Sequence, residues 1–289
     1  MSSPKIVTFG VVQYPPATGP KLYYDVSLTT SIDIPVRIFV ANNTKESIWV
    51  EVVSNSKNYT LSPSRLGEVK PGETLNKTIN VSRTSLPSTF PTTEEVVLEV
   101  RAYKDSSYSE LLASAYIDID VVYIKRPSNA TVFDFSSSSQ IASGEGKLSS
   151  AHYISPPYAV CKILAKSEFG TLNWSGTLLC VKTGLKSAEK VYVSIPIMFY
   201  PNDNMLTYGR PEIGIRIWEK SSSGSKTLMY ISDKELTPYI VWRRWLVIVI
   251  IAELDADSEL CIDIDVHTQP CGVYRELDIC VDDLAIWPA

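Results

Sequence analysis

The segment VRIFVANNTKESIWVEVV, residues 36–53, decides how the chain is read. Before its centre, Val36, Ile38 and Val40 alternate with Arg37, Phe39 and Ala41; beyond it, Ile48, Val50 and Val52 alternate with Trp49, Glu51 and Val53. A repeat of two is that of a strand with one buried face, because successive side chains point to opposite sides of a pleated backbone. The Asn-Asn-Thr-Lys between the runs is turn chemistry, since asparagine bonds its own neighbouring backbone and tolerates tight bends. The segment therefore predicts two strands joined by a turn.

The pattern extends outward in both directions. Strands are predicted at 5–14, 21–28, 34–41, 48–54, 74–81, 95–103 and 111–124, each rich in Val, Ile, Tyr or Thr and bounded by Pro, Gly, Asn or Ser. Within LGEVKPGETLNKTINV, Pro71-Gly72 stands where a turn belongs. Seven strands at such spacing suggest a sandwich. After the last of them comes IKRPSNA, polar and proline-containing, which reads as a linker. With 289 residues, 45% of them hydrophobic, the chain is long enough for two domains, expected at 1–125 and 129–289. Every cysteine lies in the second.

The turn V-K-P-G-E-T followed by an alternating strand resembles an immunoglobulin-like module of archaeal and bacterial surface proteins. That resemblance implies a spacer, stalk or assembly contact. It carries only the architecture, because a cysteine pair and core tryptophan of antibody type are missing from the first part. The second part, through Phe133-Asp134-Phe135, then Tyr158-Ala159-Val160-Cys161-Lys162-Ile163, then Asp282-Asp283-Leu284-Ala285-Ile286, is similar in order and separation to a jelly-roll module of the carbohydrate-binding type. It departs from that group at Ser136 to Ser139, where an acidic residue or glycine often follows the opening aromatic. The expected fold is all-β, two β-sandwich domains, an immunoglobulin-like sandwich followed by a jelly roll.

In LDICVDDLAIW, residues 277–287, strict alternation places Asp283 on the face of Leu277, Ile279 and Val281. A buried carboxylate is costly unless it is paired, hydrogen-bonded or bound to a cation. The jelly-roll resemblance implies a structural calcium ion held by acids from the first and last strands, here Asp134 with Asp283 and, third, Asp282. The alternative is a one-residue bulge at Asp282-Asp283, which restores Leu284 and Ile286 to the buried face and leaves both acids at solvent.

Five cysteines leave one unpaired in any disulfide scheme. Cys161 and Cys180 are centred on one turn, Cys261 and Cys280 on another, so each pair is expected to face across a hairpin; Cys261 with Cys271 is the competing pairing. The hairpin register would set Asp263 opposite Asp278 and Asp265 opposite Glu276, like charges that destabilise a ladder unless screened or bridged. Cys271 is the expected free thiol.

Catalytic chemistry has little to draw on. AELDADSEL places Glu253, Asp255, Asp257 and Glu259 on one face if extended, resembling the E-x-D-x-x-E motif of laminarinase-type glycoside hydrolases, but DADS makes a better turn than strand. His152 and His267 share no metal-ligand spacing, and a Cys271–His267 dyad has no base-orienting partner. Aromatic residues are more plentiful: Trp174, Trp218, Trp242, Trp245, Tyr230 and Tyr239 all fall in the second part, with Trp245 expected in the core. The loop YPNDNMLTYGRPE offers Tyr200, Asn202, Asp203, Asn204, Tyr208 and Arg210 as a glycan site, rings for stacking and polar groups for hydroxyls.

A net charge of -5 and the lack of any Lys/Arg run argue against nucleic acid as a partner. The most apolar run, residues 246–252, is far too short to span a bilayer. MSSPKIVTFG lacks an apolar stretch of signal-peptide length, which implies a removed signal or another route out of the cell. Six of ten asparagines (Asn42, Asn58, Asn76, Asn80, Asn129 and Asn173) stand in N-x-S/T, where composition alone gives roughly two. Together these features suggest a non-enzymatic structural protein of a cell or virion surface (spike, appendage or surface-layer subunit), extracellular and associating with itself or with other surface proteins. A glycan-binding module for adhesion is the alternative, and a laminarinase-like hydrolase a remote one.

Overall fold

Alternation builds both halves of the molecule. The structure, a computed structural model, describes residues 7–13, 21–28, 32–83, 85–166, 169–208, 210–236, 240 and 242–289. The ends of the predicted strand 5–14 and Tyr239 lie outside them. The chain divides into two compact units, Met1–Lys125 and Arg126–Ala289, both all-β sandwiches.

In the first unit the strands are β1 (Val7–Gln13), β2 (Lys21–Asp25), β3 (Ile32–Asn42), β4 (Ile48–Ser54), β5 (Thr60–Ser62), β6 (Arg65–Val69), β7 (Thr74–Arg83), β8 (Thr92–Tyr103) and β9 (Leu111–Ile124). They form two sheets, β1-β3-β7-β5 and β2-β9-β8-β4-β6, antiparallel except for the parallel pair β2–β9. Ile34, Val36, Ile38 and Val40 of β3 face Val50, Val52, Leu98, Val100, Ile119 and Val121 of the other sheet in one dry core. The quoted turn joins the sheets, and Asn42 is what fixes it. Its Oδ1 accepts from the Thr44 amide at 2.9 Å, while Nδ2 donates to the carbonyls of Glu46 and Val69, each at 2.8 Å. At Pro71-Gly72 the glycine takes φ +76°, the left-handed conformation such a turn demands, and its amide bonds to the Asn42 carbonyl at 2.9 Å.

The second unit contains β10 (Thr131–Phe133), β11 (Lys147–Ser149), β12 (Ala159–Lys166), β13 (Trp174–Lys182), β14 (Glu189–Pro201), α1 (Asp203–Tyr208), β15 (Glu212–Ser221), β16 (Gly224–Ile231), α2 (Asp233–Leu236), β17 (Trp245–Leu254), β18 (Glu259–His267), β19 (Arg275–Val281) and β20 (Leu284–Pro288). The larger sheet runs β10-β20-β14-β19-β12-β11, with β17 on the other side of β14; the smaller runs β13-β18-β15-β16.

Two sequence expectations are revised by this topology. The expected hairpin pairings of Cys161 with Cys180 and of Cys261 with Cys280 are incorrect. β12 and β13 belong to different sheets, as do β18 and β19, so those cysteines are carried apart. The disulfides are instead Cys161–Cys280, directly opposed on β12 and β19, and Cys180–Cys261, directly opposed on β13 and β18. Cys271 is the free thiol. The like-charge register disappears with the hairpins: Asp263 lies between Thr177 and Arg216 and accepts from both, at 2.7 and 2.6 Å.

The second revision concerns Asp282 and Asp283. β19 and β20 are one strand interrupted by a bulge: Ile197 opposes Val281 and Ser194 opposes Ala285, so Ile195 and Pro196 face Asp282, Asp283 and Leu284. The extra residue falls beside Pro196, which has no N–H for a ladder, and Asp283 takes φ +53°. The phase shift returns Leu284 and Ile286 to buried positions, but Asp282 does not go to solvent; its exposure is 0%.

Candidate functional site

The second unit gathers chemistry on the outer face of its larger sheet, where β14 meets β19. Tyr200 opposes Asp278 across that pair, both on the side away from the buried Phe199, Leu277 and Ile279. The His152 ring stacks on Tyr200 at 4.4 Å between centroids, and its Nε2 lies 3.2 Å from Asp278 Oδ2. Asp278 Oδ1 is buried with no hydrogen-bond partner. Burial pushes this carboxyl above the usual carboxylate range, against the pull of His152.

Beyond Pro201 the predicted irregular loop is a short helix. Asn202 caps it by accepting from the Met205 amide at 2.9 Å, and Met205, fully buried, anchors it. Asn202 and Asn204 both donate side-chain amides to the Tyr274 carbonyl, at 3.5 and 3.0 Å. Asp203 pairs with Arg243, whose guanidinium lies 5.1 Å from the Tyr200 ring centre and whose Nε donates to the Pro201 carbonyl at 3.1 Å. Tyr200, Asn202, Asp203 and Asn204 thus sit together, in company with His152, Asp278, Tyr274 and Arg243. Those four were not legible in the sequence as parts of one site. Tyr208, 60% exposed, and Arg210, also exposed, are joined to that group by no hydrogen bond or ion pair among the described residues.

The same face carries the Cys161–Cys280 disulfide, with Ala159 and Trp245 packed on it. Trp245, expected in the core, is half-buried on this outer side instead. Ile163, opposite Asp278 on β12, is 56% exposed. The arrangement offers aromatic edges, amide and carboxylate acceptors and a guanidinium on one face, the inventory with which proteins hold polyhydroxylated ligands.

The calcium expectation has a different outcome. Asp282 Oδ2 accepts the backbone amides of Ile154 and Ser155 at 2.6 and 2.8 Å, and Oδ1 that of Asp283 at 2.8 Å. Asp283 pairs with Arg126 at 3.2 Å and accepts from the Ser155 hydroxyl at 2.9 Å. Asp134 accepts from the Ser136 amide and hydroxyl and from Gln140. Both oxygens of Asp282 and of Asp283 face protein N–H or O–H hydrogens where a cation would need bare oxygen, and with Asp134 they form no three-ligand group among the described residues, so they do not fit a calcium ion. Among the described residues the one group of three ligand-type side chains is Cys180, Glu259 and Cys261, and both of its sulfurs are committed to a disulfide.

Residues 255–258 form the turn between β17 and β18, as DADS predicted, with Glu253 in β17 and Glu259 in β18. Asp255 accepts from Ser221 and Ser223 at 2.7 and 2.9 Å, and Glu259 pairs with Lys220 at 3.3 Å. Of the sequons, Asn58, Asn76, Asn80, Asn129 and Asn173 are exposed. On β7 the alternation puts Asn76, Thr78, Asn80 and Ser82 on one outward face. Asn42 is a correction: its exposure is 0% and its amide hydrogens are taken by two carbonyls, so the folded chain does not offer it for glycosylation.

No family model matches this chain, and no curated protein matches it. Among solved structures it is similar to WR4, an MSP family member of C. elegans, at 12% identity over 41% of this chain and 97% of that one, TM-score 0.25. It is also similar to a FixG-related protein from Vibrio parahaemolyticus, at 14% identity over 42% of this chain and 98% of that one, TM-score 0.28. The YadV chaperone shares 11% identity over 87% of each chain, TM-score 0.26. At such scores these likenesses supply neither a family nor an activity.

Proposed function

We propose that this chain is a non-enzymatic structural subunit of a cell or virion surface, a spike, appendage or surface-layer component. The observation that carries the reading is the pair of cross-strand disulfides, one in each sheet of the second unit. Such bonds form and persist in oxidising surroundings outside the cytosol. Five exposed sequons agree with that compartment. In this reading the first sandwich is an immunoglobulin-like spacer or assembly contact and the second a jelly roll of the carbohydrate-binding type. No helix among the described residues is long and apolar enough to cross a membrane. The acidic net charge favours protein partners over nucleic acid. The reading needs neither calcium nor glycoside hydrolysis: Asp282, Asp283, Asp255 and Glu259 are turned to donors of the protein itself.

A second reading, glycan attachment, is favoured by the convergence of Tyr200, Asn202, Asp203 and Asn204 with His152 and Asp278; a surface subunit is able to do both. Light scattering coupled to size exclusion, with electron microscopy, tests the first reading, and a glycan array tests the second. Rings, filaments or defined oligomers are the expected result. Specific sugar binding at roughly millimolar affinity or better by a strict monomer would reverse the order of the two.

A further inference from the structure

β17, WLVIVIIAEL, is a ten-residue strand paired on one side only among the described residues, with β14. The direction of its unpaired groups follows from its neighbours. Lys190 and Pro196 of β14 oppose Glu253 and Val247. Their carbonyls are turned the other way, accepting from Ala289 at 3.0 Å and Asp282 at 3.4 Å. The Glu253 carbonyl accepts from Lys226 Nζ at 3.1 Å, away from β14. Because antiparallel ladders alternate, Trp245, Val247, Val249, Ile251 and Glu253 all present their backbone N–H and C=O groups to the open edge. Only the Glu253 carbonyl has a partner there among the described residues.

Natural sheet edges are blunted by charge, proline or a bulge, because a bare apolar edge is a template for another strand. β16, the edge of the smaller sheet, follows that rule with the charge of Lys226 and a bulge between Thr227 and Met229. β17 does not: residues 246–252 carry no charge, proline or glycine. Charges flank that run and are opposite in sign, Arg243 and Arg244 before it, Glu253, Asp255 and Asp257 after it.

We infer that the open edge of β17 pairs antiparallel with β17 of a second copy of this chain, about a two-fold axis at Val249. The groups that face the edge fix the register. With Val249 opposite Val249, Val247 meets Ile251 and Trp245 meets Glu253, so every outward N–H and C=O faces another. The same register brings the basic end of each copy, where Arg244 is exposed, beside the acidic end of the other, where Glu253 is exposed, and does so twice. An isologous contact of this kind closes on itself as a dimer and joins two large sheets into one. The inference deepens the structural-subunit reading and rests on it for its purpose.

The test is sedimentation of the full chain and two variants at micromolar concentration. Val249→Pro removes a donor that faces the open edge and leaves the β14 ladder intact; Ile251→Lys puts a charge into the new contact. The wild type is expected to sediment as a dimer, and both variants as monomers that keep the wild-type circular dichroism and both disulfides. A monomeric wild type, or a dimer that survives Ile251→Lys, overturns the pairing. Electron microscopy separates the two claims: assemblies unaffected by either variant sink the pairing and spare the structural reading, whereas a strict monomer that binds sugar sinks both.

Discussion

Asp282 and Asp283 are adjacent carboxylates with different tasks. Asp282, fully buried, holds the 154–155 backbone by two N–H bonds, and Asp283 turns the chain at φ +53° and meets Arg126. Alternation alone placed Asp283 on the buried face. What it lacked was the position of Ile154 and Ser155, far away in sequence, whose amides make the buried acid Asp282 instead. Asp282→Ala leaves those amides buried without acceptors and is expected to cost about 2–4 kcal/mol in urea unfolding, whereas Asp282→Asn, which keeps an oxygen there, costs less. Burial holds the Asp282 carboxyl above the usual range, against the backbone donors. Its folded form therefore takes up a proton at higher pH than the unfolded chain does, so its contribution to stability grows as pH falls from neutral and is lost as pH rises. The stability of the wild type minus that of Asp282→Asn, measured in urea from pH 7 downward, should increase toward acid. At the next position, Asp283→Val is expected to be less stable than Asp283→Asn by about 1–2 kcal/mol in thermal melts, because a β-branched residue resists left-handed backbone that asparagine accepts.

Strands were the most legible elements. Runs at 48–54 and 111–124 match β4 and β9 at both ends, and 34–41, 74–81 and 95–103 fall within β3, β7 and β8. Short β5 and β6 escaped notice because three to five residues give too little alternation to count. The helix α1 was read as loop because its six residues are held by one cap and one buried methionine rather than by periodicity. Cysteine pairing failed for a related reason: centring on a turn shows that strands are neighbours in sequence, and here those neighbours enter opposite sheets. Arg275, the largest fully buried side chain, was invisible as well, since its acceptors are Thr268 Oγ1 and the carbonyls of Gln269 and Gly170. The disulfides close 119 and 81 residues of sequence. Replacing Cys161 and Cys280 together by serine is expected to cost about 2–5 kcal/mol in denaturant, most of it through a freer unfolded chain. Peptide mapping without reductant should recover Cys161 linked to Cys280 and Cys180 to Cys261, with Cys271 alone open to alkylation.

At the scale of the whole molecule, the units are stabilised differently. Met1–Lys125 has no cysteine and depends on the dry core between its sheets, whereas Arg126–Ala289 adds a covalent link within each of its sheets. Lys125, Pro127, Ser128 and Asn129 at the junction are exposed. No disulfide crosses that junction, and this gives the central claim, two separately folded sandwiches, its most direct measurement: limited proteolysis followed by denaturing electrophoresis without reductant. The account predicts early cleavage near residues 125–129 and two fragments that separate at once, each surviving further digestion. Cleavage that begins inside either half, or fragments that stay joined until a reductant is added, would contradict it.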